Sequence, residues 1–282
     1  MALPTEKLGT TYQGPPSTVD ADRARSYAAA TNDPNPAYAS GGLAPPVFGV
    51  VPTWETMTRA VADVVPAEAA MFIVHGEQDM HFHRPLVAGM SLTSTSEAFS
   101  VRVGRSGTRF TVKVDSTGDD GGPVLTQYVT MFVRGMNDGC SAGPDKPSHD
   151  FPDDARASPV GRFTVHVDDA QTFRYREASG DPMPIHFDDE FARSVGLPGI
   201  VAHGLCTMAM CSQAVITTCA EGDPTRLRRL AVRFAANVFP GSDLDVSLYD
   251  AGTTATGRRA VAFEAVSADA VVIKNGWAEV EA

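Results

Sequence analysis

The chain has little positive charge, no paired cysteines and no long apolar run. Its 23 Lys and Arg stand against 34 Asp and Glu, a formal net charge of −11, which disfavours nucleic acid because phosphate backbones bind basic faces. None of its four cysteines forms a CxxC pair, as expected for reduced thiols in a core. No stretch approaches about eighteen apolar residues, and the N-terminus has no signal-peptide pattern. We therefore expect a cytoplasmic protein that neither binds nucleic acid nor enters a membrane.

Several motifs that carry chemistry are also missing. The sequence has no Gly-rich dinucleotide loop, phosphate loop or nucleophile elbow, which excludes redox, kinase and serine-hydrolase activities. His81 and His83 are two apart on a predicted strand with His75 nearby, but no Cys or carboxylate stands at ligand spacing. We expect neither a metal nor another cofactor.

What the chain does have is a phrase of twelve residues that occurs twice. The first copy runs from Tyr27 to Tyr38 and the second from Tyr175 to His186. The Tyr, the Asp and both prolines are kept at the same spacing, whereas the last position changes from Tyr to His. A duplication in which one copy carries an acid/base pair predicts a fold of two units with one working site.

Residues 137–160 divide the chain into two halves. They are poor in apolar residues and rich in turn formers, as linkers are. On either side, residues 1–136 and 161–282 each contain the phrase, a long apolar helix and then alternating strands. The predicted helices are Pro52–Val65 and His203–Ala220, and the predicted strands are Leu92–Val103, Thr108–Asp115, Val124–Arg134, Arg229–Ala235, Leu244–Tyr249, Arg259–Val266 and Ala270–Glu279. This order predicts an α+β fold in which each antiparallel sheet wraps around a long helix.

The second copy of the phrase contains a candidate catalytic pair. Asp181 lies in a Ser-Gly-Asp-Pro turn, and His186 follows five residues later across a loop stiffened by two prolines. A carboxylate and an imidazole around one water can abstract and deliver protons near neutral pH. The alternative is a structural role, and Asp33 of the first copy supports it in part, because that Asp is kept without a His.

A second element stands where the second long helix begins. Gly204 follows His203 there, and free N–H groups at a helix start can stabilise a developing oxyanion. The alternative is a glycine needed simply for a tight helix entry.

The second half resembles the MaoC-like family of R-specific enoyl-CoA hydratases, also called hydratase 2. The resemblance is carried by Tyr175, Ser179-Gly180-Asp181, Pro184-Ile185-His186, Ala192 and His203-Gly204. The duplicated layout is similar to the double-hotdog members of that family, in which one half keeps the catalytic residues and the other helps to shape the acyl tunnel. The resemblance therefore implies a double hotdog with a degenerate first half and a catalytic second half.

The resemblance also implies roles for individual residues. Asp181 and His186 would hold and activate a water that adds across the 2,3 double bond of a trans-2-enoyl thioester, and the Gly204 N–H would stabilise the thioester oxygen. Ser212 matches a family serine close to the pair, and with His203 it is a candidate substrate-binding residue. The family has Asn where this chain has Met183, so we place Met183 among the substrate-binding candidates, with altered specificity as the expected consequence.

A cluster of arginines offers a site for the phosphates of coenzyme A. Arg226, Arg228, Arg229 and Arg233 concentrate positive charge in an acidic chain, and arginine binds phosphate in bidentate fashion. We take Arg228 and Arg233 as candidates. A solvated charged face is the alternative.

The function predicted from the sequence is reversible hydration of trans-2-enoyl-CoA to the (3R)-3-hydroxyacyl-CoA. Three alternatives stay open: dehydration of a 3-hydroxyacyl thioester on CoA or a carrier protein in fatty-acid or polyketide synthesis, a non-catalytic subunit that binds acyl thioesters, and a thioesterase of the same fold. The chain acting alone and the chain pairing as a homodimer are both left open.

Overall fold

The structure is a computed structural model, and it describes residues 2–281. Its α-helices are α1 (Ala21–Ala30), α2 (Pro36–Ala39), α3 (Trp54–Val64), α4 (Gln171–Ser179), α5 (Asp189–Ser194) and α6 (Gly204–Cys219). Short 3-10 segments include Pro46–Thr53, which leads into α3, and Pro184–His186, which ends the second copy of the phrase. Within residues 2–281, no helix is long and apolar enough to cross a membrane.

The strands pair antiparallel within each of the two units described below. In chain order they are β1 (Thr11–Gln13), β2 (Ser17–Thr18), β3 (Ile73–Phe82), β4 (Ser91–Gly104), β5 (Gly107–Gly118), β6 (Pro123–Arg134), β7 (Pro159–Val167), β8 (Leu227–Phe234), β9 (Ser242–Thr253), β10 (Arg259–Ser267) and β11 (Ala270–Val280).

The described chain falls into two compact units. The first contains residues 2–18, 52–84 and 90–148, and the second contains residues 19–51, 85–89 and 149–281. Residues 19–51 hold the first copy of the phrase, so both copies lie in the second unit. The division of the sequence at residues 137–160 describes the repeat, and as a domain boundary it stays a prediction.

The strands of each unit pair in the same order. In the first unit the order is β1-β4-β5-β6-β3, with β2 pairing on β4, and in the second it is β7-β9-β10-β11-β8. Strands that correspond in chain order also correspond in pairing order, for example β4 to β9 and β6 to β11. The duplication seen in the sequence is therefore also present in the fold.

The core of the second unit is built around α6. Thirteen of its sixteen residues are buried, as expected for a helix that is apolar on every side. The sheet strands β7 to β10 pack on it. Another side is covered by the first copy of the phrase, where the Cys206 Sγ contacts the Ala30 carbonyl at 3.8 Å and the Gln213 side chain donates to the Asn32 carbonyl at 3.2 Å. The three cysteines of α6 are free and buried.

The core of the first unit joins α3 to its sheet. Met57, Ala60 and Val64 repeat at helical spacing on α3 and pack with inward residues of β5 such as Phe110 and Val112. The strict alternation of half-buried and buried positions from Ser91 onward is the period of a strand with one face on a core.

Most predicted elements are present, with small changes at their ends. The first long helix begins at Trp54 rather than Pro52, because Pro46–Thr53 forms a 3-10 segment. The strand β7 was not among the predicted strands, and its first two residues lie inside the predicted linker. It pairs along β9 from Pro159 to Val167, and this long-range partner is what the local sequence does not reveal.

Candidate active site

The two copies of the phrase fold alike up to their last residues. Each copy begins in the last part of a helix, α1 or α4, and each Asp then closes a tight turn by accepting a backbone N–H two residues later. The Asp33 Oδ1 accepts from Asn35 at 3.0 Å, and the Asp181 Oδ1 accepts from Met183 at 3.0 Å. The structural role considered for the Asp is therefore present in both copies. In Asp181 it occupies one carboxylate oxygen and leaves the other for chemistry.

The helices α1 and α4 pack against each other with reciprocal contacts. The Tyr27 and Tyr175 hydroxyls, 148 positions apart, are hydrogen-bonded at 3.0 Å. Arg23 donates to the carbonyl of Ala178 at 2.8 Å, and its counterpart Gln171 donates to the carbonyl of Ala30. Such reciprocity is what a two-fold related interface produces. The duplicated phrase therefore forms an internal pseudo-two-fold pair.

Three side chains of the second copy and its surroundings converge on one point. Asp181, His186 and His203 each have a carboxylate oxygen or ring nitrogen within 4.8 Å of the others. His186 is 8% exposed and His203 1% exposed, whereas Asp181 is half-buried at the end of the α4 turn. The predicted Asp/His pair is thus brought together, and a second histidine lies beside it.

The tautomer of His186 follows from its backbone contact. Its Nδ1 lies 2.8 Å from the Val201 carbonyl oxygen, which can only accept, so Nδ1 carries the proton. The Nε2 lone pair is then free to accept a proton. Burial lowers the pKa of His186, while the bond to Val201 and the charge of Asp181 oppose that shift. A neutral imidazole with a defined basic nitrogen is the form that a general base requires.

His203 is buried and packs against the ring of His186. Its ring stacks on His186 with centroids 3.7 Å apart and planes inclined by 23°, and it meets the Tyr175 ring at 4.8 Å. Burial and the neighbouring His186 lower the pKa of His203 to about 2, so it stays neutral. Neither of its nitrogens has a hydrogen-bond partner among the described residues. This stack fixes the plane of His186, and the two tyrosines of the α1/α4 pair continue it.

Gly204 is the first residue of α6, where backbone N–H groups have no partner within the helix. The positive end of the helix dipole adds to the pull of these groups on a negative oxygen. A Cβ at this position would lie 3.2 Å from the Phe234 ring. Close packing against Phe234 thus accounts for the absence of a side chain, and an oxyanion site is compatible with it.

The first copy of the phrase meets the opposite end of α6. The Asn35 side chain donates to the carbonyl of Gly222, just beyond the helix, at 2.7 Å. Tyr38, which replaces the His, is buried with its hydroxyl unpartnered among the described residues. Burial raises the pKa of Asp33 to about 6. A helix C-terminus presents carbonyl oxygens instead of N–H groups, so an oxyanion would be repelled there.

The remaining predicted site residues lie outside the cluster of Asp181, His186 and His203. Ser212 is buried on α6 about 12 Å along the helix axis from Gly204, and its hydroxyl has no partner among the described residues. The Met183 side chain is 47% exposed. Arg228 forms a bidentate pair with Glu281 at 2.6 and 2.8 Å, and Arg233 is exposed on β8. The roles of these four in substrate binding stay predictions.

The same three side chains are the group in residues 2–281 whose types suit a metal ion. The ring planes of His186 and His203 are close to parallel, so their in-plane lone pairs do not converge on one ion. The histidines considered in the sequence are separate: His81 lies 3.2 Å from Asp79, and His83 lies 3.1 Å from the Thr126 hydroxyl. The geometry favours a bound water over a bound metal.

Sequence reasoning missed two contributors to this site. Val201 acts through its carbonyl, which no side-chain pattern reveals. The sequence predicts His203 as a substrate-binding residue and does not predict its stacking on His186. A buried histidine directly before a helix that begins with glycine is the pattern that could have drawn attention to it.

Two family models match the chain, one in each half. Residues 151–271 match the MaoC like domain, and residues 6–127 match the FAS1-like dehydratase domain region. The first match contains Asp181, His186, His203 and Gly204.

Curated relatives are similar at modest identity. A protein of Dictyostelium discoideum named probable enoyl-CoA hydratase 2 is 26% identical over 186 residues, 65% of this chain and 63% of the relative. The 3-hydroxyacyl-thioester dehydratase Y of Mycobacterium tuberculosis is 29% identical over 216 residues, 73% of this chain and 72% of the relative. The chain thus matches less than two thirds of the length of the Dictyostelium relative.

Solved structures share the fold. A MaoC-like dehydratase from Phytophthora capsici has a TM-score of 0.88 at 24% identity, covering 98% of this chain and 97% of that one. A protein of Mycobacterium tuberculosis described as a double hotdog has a TM-score of 0.61 at 16% identity, covering 96% and 95%. The predicted double hotdog of class α+β is confirmed.

The repeat predicts the effect of Met183→Asn on stability. Met183 and Asn35 have similar backbone angles, with φ, ψ of −66°, 118° and −57°, 123°, but only Asn35 caps its helical turn through its side chain. An added cap should raise the free energy of unfolding by about 0.5–1 kcal/mol. Denaturant unfolding of Met183→Asn and of Met183→Ala as control measures it. Equal stability of the two variants would contradict the role of the cap.

Proposed function

Because residues 151–271 of this chain match the MaoC like domain, we propose that the protein reversibly hydrates trans-2-enoyl-CoA to the (3R)-3-hydroxyacyl-CoA, and that only the second copy of the phrase works. The observation that carries the proposal is the convergence of Asp181, a neutral His186 and the N-terminus of α6 in one unit. The names of the relatives from Dictyostelium and Mycobacterium support the same reaction class.

The proposed chemistry uses one water and no cofactor. The free oxygen of Asp181 holds the water, and the His186 Nε2 accepts one of its protons as the water oxygen bonds to C3. The π electrons move toward the thioester oxygen, where the Gly204 N–H stabilises the enolate. The Asp/His pair then returns a proton to C2, and the thioester carbonyl is restored. Dehydration follows the same steps in reverse.

Loss of the enoyl-thioester absorbance on mixing with crotonyl-CoA and longer analogues tests the reaction. Asp181→Asn and His186→Ala should each lower kcat at least about 100-fold, because each removes a proton-transfer group. Asp33→Asn is the matched control, since it changes the equivalent carboxyl of the first copy and should leave kcat within about twofold. Full turnover in both second-copy variants would refute the assignment.

A second candidate function is dehydration of a 3-hydroxyacyl thioester on a carrier protein. The dehydration is favoured by the match of residues 6–127 to the FAS1-like dehydratase domain region and by the name of the Mycobacterium relative, and the carrier protein is part of the proposal. Comparing kcat/KM for the CoA and carrier-protein forms of one substrate distinguishes the two functions. The net charge of −11 disfavours docking to an acidic carrier, so we expect the CoA form to be preferred.

The cell compartment and the oligomeric state stay predictions. We propose a cytoplasmic location. A relative from Arabidopsis thaliana is named as peroxisomal, so the peroxisome is the alternative against which this proposal is tested. We also propose that the chain forms a homodimer and that its first half helps to shape an acyl tunnel.

The oxyanion role of Gly204 can be tested by removing a single N–H. Proline is well tolerated at the first position of a helix, and His203 before it is already extended at φ −64°, ψ 134°. Gly204→Pro should therefore lower kcat by about 100-fold or more. Gly204→Ala is the control, since it adds the same contact with Phe234 and keeps the N–H. Similar kcat values for the two variants would exclude an oxyanion role.

The lowered pKa of His186 predicts the acid limb of the pH profile. The base works only when neutral, so the rate falls as the pH drops through its pKa. Because burial lowers that pKa, the midpoint of the limb in kcat/KM should lie below about 6.5. The pKa of Asp33, about 6, lies in the same pH range, so Asp33→Asn is the control. The limb should be unchanged in this variant because it reports His186. A midpoint above 7, or a limb that Asp33→Asn removes, would contradict His186 as the base.

A further inference from the structure

We propose that Arg23, on α1 just before the first copy of the phrase, is a positioning residue that holds Asp181 in its productive orientation. The inference rests on the proposed function, because it concerns the same reaction. It assigns a task in the working site to α1, the helix that leads into the copy that has no His.

Arg23 binds the end of α4 at two consecutive carbonyls. Its Nε donates to Ala178 at 2.8 Å and its Nη2 donates to Ser179 at 2.7 Å. The last carbonyls of a helix have no partner within the helix and carry its negative dipole end, so a cation is favourable there. The planar guanidinium spans both carbonyls and fixes their relative orientation.

The contact requires the glycine that precedes Asp181. Gly180 ends α4 in the left-handed region at φ +79°, and a Cβ on it would lie 2.8 Å from the Arg23 Nη2. Gly180 therefore provides both the turn and the close approach of the arginine.

Two further hydrogen bonds connect the carbonyls held by Arg23 to the Asp181 side chain. The backbone N–H of Asp181 donates to the Ser179 Oγ at 3.2 Å, and its Oδ1 accepts from Met183 at 3.0 Å. Ser179, whose carbonyl Arg23 holds, is thus directly bonded to Asp181. A rotation of the peptide after Ser179 would move the carboxylate away from His186.

The duplication supplies an internal comparison. At the position equivalent to Arg23, Gln171 donates its amide to the single carbonyl of Ala30. From the facing helix, the copy that carries His186 receives a guanidinium fork on two carbonyls. The copy that carries Tyr38 receives an amide on one carbonyl, and further contacts at this end come from α6. The fork thus falls on the loop whose carboxylate has a chemical task.

The test is steady-state kinetics of the full chain with crotonyl-CoA. Arg23→Gln keeps one donor, as in the other copy, and should lower kcat about 10- to 100-fold with KM within about twofold, because small misplacements of a catalytic group cost rates of this order. Gln171→Ala is the matched control on the equivalent contact, and its kcat should stay within about twofold. Thermal unfolding of each variant separates lost activity from lost folding.

A rescue experiment adds a readout that a purely structural role would not move. The Arg23 side chain is exposed, so ethylguanidinium in solution can enter the space left in Arg23→Ala and should restore kcat at least about threefold. An unchanged kcat in Arg23→Gln would overturn the inference. So would an equal loss in Gln171→Ala, or a loss accounted for by unfolding. An inactive wild-type chain would instead refute the proposed function, so the two failures are distinguishable.

Discussion

The site depends on the polarity of one buried helix. α6 is about 24 Å long, and its two ends are chemically unlike, with free N–H groups in the turn that begins at Gly204 and carbonyl oxygens in the turn that ends at Cys219. The second copy of the phrase lies at the first end, and the first copy reaches the second end through Asn35 and Gly222. Two similar loops therefore meet opposite potentials. The reaction proposed here builds negative charge on an oxygen, and only the N-terminal end stabilises it.

This constraint accounts for what each copy has kept. Both retain the Tyr, the Asp and the prolines, because the paired tyrosines and the Asp turns serve the packing of α1 on α4. His186 is kept where the imidazole has a carbonyl partner and a stacking neighbour. At the other end, Tyr38 fills the equivalent position and is buried. The first copy has lost the acid/base pair while keeping the helix that supports the second.

Local signals in the sequence predicted much of this arrangement. Alternation fixed β4 to within one residue at each end, and apolar spacing did the same for α6, because each pattern depends on neighbours along the chain. The duplicated phrase and the glycine at the helix entry located Asp181, His186 and Gly204. The packing of α1 on α4, the stacking of His203 and the reach of Arg23 depend on residues far apart in sequence. No sequence motif marks Arg23. Its contact with α4 becomes clear only when the folded helices are compared at Arg23 and Gln171.

The central claim is that one copy of the phrase works and that it does so at the N-terminus of α6. A crystal structure with a bound 3-hydroxyacyl-CoA tests it most directly. The account predicts the 3-hydroxyl within hydrogen-bond reach of Asp181 and the His186 Nε2, and the thioester oxygen about 2.7–3.1 Å from the Gly204 nitrogen. A thioester bound beside Asp33 and Tyr38, or one whose oxygen points away from Gly204, would contradict it.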